Sequence, residues 1–277
     1  MSAIVEPASS PAAARPQPDE MAGRHALVTG ASRGIGQAIA EALAEAGCRL
    51  TLVARDPDRL ERRVTALRGA HGGEVVGVAA DLADPDAVVA ACHRAVERSG
   101  PVTILVNNAG IAPSGPLHRL DLATWNQVLA VDLTAAFLAI QTLTPGLRAH
   151  GAGRVINVAS TAGLTGYRYV AAYVAAKHGL VGLTRALALE FAGSGVTVNA
   201  VCPGFTDTDI VADAVATIAA KTGRPADAAL ADLTRVNPLG RLVQPTEVAG
   251  LVRWLCGSAA AAVTGQALPI DGGEVMK

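Results

Sequence analysis

Aromatic residues are scarce in this chain: Phe, Trp and Tyr together make up 3% of it. A platform for stacking nucleic-acid bases is therefore not expected. Charge is sparse too, at 17%, and 23 basic residues against 24 acidic ones leave a formal net charge of -1. No field of one sign draws nucleic acid or an anionic membrane. Cys48, Cys92, Cys202 and Cys256 lie far apart, with no CxxC pair. Reduced, buried thiols are expected rather than a disulfide framework or a zinc cluster. The histidines show no HExxH or clustered spacing, so no metal is expected. No uninterrupted apolar run reaches the ~18 residues that span a bilayer, so no membrane partner is expected. The first 20 residues contain four prolines but no basic region followed by an apolar one. They do not resemble a signal peptide, and a cytoplasmic location is the expectation.

What the chain does have is aliphatic bulk. Hydrophobic residues are 51% of its 277 positions, which is enough for one large α/β core. Residues 1–22, rich in Pro, Ser and Ala, predict a disordered tail. Beyond them, apolar runs at 25–29, 49–54, 74–79, 102–106, 154–158, 196–201 and 267–270 read as strands. Helical spacing fills 34–46, 57–67, 84–97, 123–147, 169–191 and 246–256 between them. Nearly wholly apolar strands alternating with helices predict a single doubly wound, Rossmann-type α/β domain over 23–277. Its parallel sheet of about seven strands is covered on both faces. The mixed segment 205–244 breaks the rhythm and reads as a substrate-loop insertion.

The turn after the first strand carries Gly30, Ser32, Arg33, Gly34, Ile35 and Gly36 in a TGxxxGxG pattern. Glycine permits a tight turn and a close approach of backbone to phosphate. The helix that follows offers unpaired N–H groups and a partial positive charge. Asp81-Leu82 and Asn107-Asn108-Ala109-Gly110 follow the third and fourth strands. All three lie at strand carboxyl ends, where a doubly wound sheet opens its crevice for a dinucleotide. After the second strand an acidic residue would bind the ribose 2′-OH of NAD; here the position is Arg55. Arg55, with Arg33, suits the 2′-phosphate of NADP(H). Asp56 is expected to cap the next helix.

Tyr173 and Lys177 are one helical turn apart and share a face. Ser160 falls just past the fifth strand, at the same edge of the sheet. A tyrosine hydroxyl is a poor acid or base near its ordinary pKa of ~10, and a neighbouring ammonium lowers that value. Tyr173 can then exchange a proton with a substrate oxygen, which Ser160 holds by a hydrogen bond. There is no GxSxG elbow around Ser160, so a hydrolase reading fails.

In these motifs, together with Pro203-Gly204, the chain resembles the short-chain dehydrogenase/reductase family, most of all its β-ketoacyl reductase and polyketide ketoreductase group. The resemblance covers about residues 24–273. It implies an NADP(H)-dependent enzyme that moves a hydride between the nicotinamide and a carbonyl or secondary alcohol. The substrate is expected to be a β-ketoacyl thioester or polyketide-like ketone, carried on a carrier protein or CoA. It also implies a homotetramer. Tyr173 corresponds to the catalytic tyrosine, Ser160 to the serine that positions the carbonyl, and Lys177 to the lysine that binds the nicotinamide ribose. Asp81, Leu82, Asn108, Ala109, Gly110, Pro203, Gly204, Thr206 and Thr208 match cofactor-side positions. One departure stands out: Asp132 occupies the place of the family's relay asparagine. Segments 111–120 and 205–244 are expected to choose the substrate, and Arg224, Arg235 and Arg241 are candidates for a carrier phosphate. Two other readings share part of this pattern. One is an NAD(H)-dependent dehydrogenase of a small hydroxyacid, sugar or cyclic alcohol. The other is a non-catalytic NADP-binding regulator, against which Tyr173 and Lys177 argue.

Overall fold

A computed structural model describes residues 21–276. Its seven strands are β1 (His25–Thr29), β2 (Arg49–Ala54), β3 (Val75–Ala79), β4 (Ile104–Asn107), β5 (Arg154–Val158), β6 (Thr197–Pro203) and β7 (Ala267–Ile270). They form one sheet in the order β3-β2-β1-β4-β5-β6-β7, with every pairing parallel. β1 and β5 are buried at every residue, as the unbroken apolar runs require.

Helices cover both faces. On one side α1 (Gly34–Glu45), α2 (Pro57–His71) and α9 (Pro245–Cys256) supply Ile39, Leu43, Leu60, Val248 and Leu255 to the core. On the other, α3 (Pro85–Ser99), α5 (Ala135–Ala149) and α6 (Ala171–Glu190) supply Val88, Ile140, Leu143 and Ala188. The chain leaves β1 toward one face and returns to β4 from the other. The strand order reverses between these two neighbours, and a crevice opens at their carboxyl ends.

Three features differ from the expectation. The 123–147 helix is α4 (Leu122–Leu129), a π turn at Ala130–Thr134, and then α5. The π turn swings Asp132 inward, which a regular helical repeat would not. The whole run, Leu122–Ala149, is long and apolar enough to cross a membrane by length and composition. It packs here against α3 and α6. The helix expected from 169 begins at Ala171, because Tyr169 is left-handed at φ 70° and cannot continue a right-handed helix. The 205–244 insertion forms two helices, α7 (Asp209–Thr222) and α8 (Ala226–Thr234), and no strand of the sheet. Of the expected tail over 1–22, residues 1–20 lie outside the described residues, and Met21 departs from it. That side chain is 4% exposed and packs in the α1/α9 core.

The β1–α1 turn explains one glycine. A Cβ on Gly36 would lie 2.3 Å from the Gly30 carbonyl oxygen and 2.4 Å from Asn108 Nδ2. Gly36→Ala must therefore push α1 away from the strand edge, at an expected cost of about 1–3 kcal/mol. Gly69→Ala, on α2 with nothing within 4 Å of the new methyl, is the control and should be neutral or slightly stabilising. Urea unfolding of both variants checks this. Equal effects would contradict the close approach.

Candidate active site

Hydrogen bonds stitch the glycine turn to the end of β4. Thr29 Oγ1 accepts from the backbone N–H groups of Asn108 at 3.0 Å and Ala109 at 3.1 Å. The Asn108 side chain donates to the carbonyls of Thr29 at 2.9 Å and Gly30 at 3.3 Å. Gly30 and Gly34 are left-handed, at φ 66° and 54°. No side chain caps α1, and its first turn holds no acid. Its end is thus open to an anion. These groups border a cleft of about 490 Å³ running along the carboxyl edge of the sheet.

One end of the cleft is cationic. Arg33 and Arg55 both line it, and so does Arg59, which the sequence reading did not single out. Arg59 projects from the first turn of α2, whose cap is Asp56. One Asp56 oxygen accepts from the N–H groups of Asp58 and Arg59, each at 3.0 Å. Asp56 therefore acts as the cap expected of it, and these bonds lower its pKa. Asp209, at the start of α7, reaches across to Arg33 at 2.9 Å and Arg59 at 4.0 Å. Neither Arg59 nor Asp209 had a sequence signal. The two meet only because α2 and α7 converge at the cleft mouth.

The other end is catalytic in character. Tyr173 and Lys177 line the cleft together with Val158, Ile111 and Gly110. Lys177 is buried, and its ammonium donates to the Val158 carbonyl at 3.0 Å. It also lies 3.3 Å from Asp132 Oδ2 and 5.4 Å from the centre of the Tyr173 ring. Asp132 Oδ1 accepts from the Ile111 N–H at 2.9 Å, so the π turn holds both the loop after β4 and the lysine. Behind them, Asn107 donates to Asn157 and Asn157 donates to Thr184, each at 2.9 Å. This buried ladder fixes β4 and β5 to α6. Ser160 Oγ accepts from the Ala162 N–H at 3.1 Å and pairs with the Tyr173 hydroxyl.

The electrostatics are more contested than the spacing alone suggests. Burial pushes the Tyr173 hydroxyl above its ordinary pKa. Lys177 pulls it down, Asp132 pushes it up again, and Ser160 pulls it down. The expected lowering by the lysine is present, but burial outweighs it. Burial also opposes the Lys177 charge, yet Asp132 and Tyr173 prevail and hold the ammonium above its usual value. Burial raises the Asp132 carboxyl against the pull of Lys177.

Gly30, Ser32, Arg33, Gly34, Ile35, Gly36, Arg55, Asp81, Leu82, Asn108, Ala109, Gly110 and Thr208 all line the cleft. Pro203, Gly204 and Thr206 do not. Thr206 is buried and turns its hydroxyl to the Gly204 carbonyl at 3.0 Å. Outside the cleft lining, the Tyr167 hydroxyl lies between the Glu274 carboxylate and Thr161 Oγ1, and its ring meets Phe205 edge-on. Of the candidate phosphate-binding arginines, Arg224 is paired with Asp232 at 2.6 Å and Arg241 with Glu247 at 2.7 Å. Arg235 lies 3.7 Å from Asp232 and is largely exposed.

The family model described as short chain dehydrogenase matches residues 24–219. The chain is 45% identical to the candidate ketoacyl reductase 1 of the granaticin polyketide synthase from Streptomyces violaceoruber, over 90% of this chain and 92% of that one. It is 41% identical to cis-4-hydroxycyclohexanecarboxylate dehydrogenase from Sinomonas cyclohexanicum, over 92% and 98% of the two chains. Among solved structures, a variant of actinorhodin polyketide ketoreductase with NADPH superposes with a TM-score of 0.87 at 40% identity, covering 91% and 97% of the chains. With its glycine turn, its Ser160–Tyr173–Lys177 group and this breadth of similarity, the chain belongs to the short-chain dehydrogenase family.

Proposed function

We propose that this chain is an NADP(H)-dependent reductase that converts a ketone to a secondary alcohol. The substrate class is a β-ketoacyl thioester or polyketide-like ketone. The carrying observation is a single cleft with Arg33, Arg55 and Arg59 at one end and Tyr173 with Lys177 at the other. The cations suit a 2′-phosphate, and the glycine turn leaves room for a pyrophosphate beside the open end of α1. The relatives named as ketoacyl reductases and the NADPH-bound actinorhodin ketoreductase support the choice.

When bound, the nicotinamide supplies or accepts the hydride. The protein does the rest. Ser160 donates a hydrogen bond to the substrate oxygen and holds it near the tyrosine. Tyr173 gives its hydroxyl proton to that oxygen as the carbon is reduced. Lys177 stabilises the phenolate left behind and keeps a donor for the ribose. Val158 and Asp132 fix the ammonium in place. Segment 205–244 borders the cleft through Thr208, Asp209 and Ile210 and selects the substrate.

A carrier protein or CoA carrying the acyl group fits the relatives' names, with the exposed Arg235 available to a phosphate. A cyclic-alcohol substrate is the second reading, favoured by the 41% identical cyclohexane-carboxylate enzyme. Steady-state rates on ketoacyl thioesters and cyclic ketones separate the two. We also propose a cytoplasmic homotetramer. β7 lies at the sheet edge, and Phe137 and Leu189 leave apolar surface exposed on α5 and α6. A monomer mass by light scattering refutes the tetramer.

Tyr173→Phe keeps the ring and removes only the hydroxyl. The single-turnover rate, followed at the NADPH absorbance, should fall by ~10²–10⁴-fold while NADPH still binds. Lys177→Met should slow the step and weaken cofactor binding together, and Ser160→Ala should slow it alone. A near-normal rate in folded Tyr173→Phe refutes the assignment. Wild type should bind NADPH more tightly than NADH. Arg55→Ala should weaken NADPH binding about tenfold, as expected for one charge-assisted hydrogen bond, with little effect on NADH. Equal wild-type affinities contradict the cofactor choice.

A further inference from the structure

Asp132 is the one charged group at the catalytic end that the family pattern does not supply. Its side chain has no solvent exposure. One oxygen accepts from the Ile111 N–H at 2.9 Å, and the other lies 3.3 Å from Lys177 Nζ. The loop opposite is shaped to admit this pair. A Cβ on Gly110 would lie 2.8 Å from Asp132 Oδ2 and 3.4 Å from Lys177 Nζ. An asparagine would fill the same volume and could accept the Ile111 hydrogen bond equally well. The carboxylate therefore adds charge, not shape. That charge sits against the ammonium on which Tyr173 depends.

The groups facing Tyr173 come from four elements. Lys177 is on its own helix, Asp132 is on the π turn, Ser160 follows β5, and Cys202 is on β6. Burial pushes the Cys202 thiol up to about 11, so it is neutral across the working range. Ser160 is uncharged. The balance at Tyr173 is thus set by one positive and one negative group, and the negative one opposes loss of the tyrosine proton.

We propose that Asp132 is a positioning residue that, by pairing with Lys177, keeps Tyr173 a proton donor to higher pH than Lys177 alone would allow. The proposal rests on the reductase reading and adds a direction to it. In reduction the carbonyl carbon gains the hydride and its oxygen gains the Tyr173 proton. The C=O π bond breaks, C–H and O–H bonds form, and the nicotinamide is oxidised. The phenolate then recovers a proton from solvent. In oxidation the tyrosine must begin without its proton. Asp132 leaves the equilibrium unchanged. It extends the pH range in which the acid form is ready and pushes the base form to more alkaline pH.

The test is a phenolate absorbance titration of wild type and of Asp132→Asn, each with its Tyr173→Phe counterpart subtracted. The chain has only 3 tyrosines, so the difference isolates one of them. Asp132→Asn should lower the Tyr173 midpoint by about one pH unit, the scale of one nearby buried charge. The high-pH fall in reduction and the low-pH rise in oxidation should both move toward acid by the same amount. A merely structural role would scale the rates without moving either limb. An unchanged midpoint in the folded variant overturns the proposal. So does a high-pH fall in wild-type reduction that coincides with that of Asp132→Asn, a comparison that needs no subtraction. The titration uses no substrate, so its failure is distinct from failure of the reductase reading, which the Tyr173→Phe single-turnover rate reports.

Discussion

Lys177 carries a positive charge where almost no water reaches it, and much of the surrounding structure serves to keep it there. An unpaired buried ammonium costs several kcal/mol. Three elements offset that cost. β5 turns the Val158 carbonyl toward it, the π turn brings Asp132 against it, and α6 holds it one turn from Tyr173. Each is itself anchored. The Asn107–Asn157–Thr184 ladder ties β4, β5 and α6 together, and the Ile111 N–H holds Asp132. Gly110 leaves the space in which the charges meet. A side chain on Gly110 would press against Asp132 Oδ2 and the Lys177 ammonium and drive the pair apart.

The same sheet edge explains why a second charged region lies along the same cleft. β1 and β4 are neighbours whose helices leave on opposite faces, so their carboxyl ends open a crevice. Thr29 and Asn108 close the floor of that crevice by four hydrogen bonds across the two strand ends. The arginines gather where α1, the end of β2 and α2 meet, and Lys177 sits near the end of β5. Phosphate recognition and proton transfer are thus held apart by a rigid sheet, and the start of α7 borders the cleft through Asp209 and Ile210. Asp209 reaches from α7 to Arg33 and Arg59 at the cationic end.

Much of this was legible in the sequence because buried parallel strands leave an unmistakable trace. The apolar runs at β1 and β5 end where the strands end. Tyr173 and Lys177 were legible because helical spacing puts them on one face, and Ser160 because it follows a strand. Other features depend on contacts distant in sequence. The π turn is hidden because apolar residues continue straight through it. The late start of α6 comes from the backbone of Tyr169, whose carbonyl accepts from the Gly115 N–H at 2.7 Å. Met21 is a lone apolar residue beside a Pro-rich stretch, without a repeat to reveal its burial. Arg59 and Asp209 join the site only through the packing of remote segments. Thr206 lies within the expected motif, yet its buried hydroxyl serves the turn at Gly204.

A hydride passes directly between a nicotinamide bound in this cleft and a carbonyl carbon. The most direct measurement is isotopic. NADPH carrying deuterium at the transferring carbon, on each face in turn, is incubated with the enzyme and a ketoacyl thioester, and the alcohol product is weighed by mass spectrometry. Deuterium is expected at the carbinol carbon from one face of the cofactor and none from the other. Alcohol without deuterium from either labelled cofactor, or equal transfer from both, contradicts it.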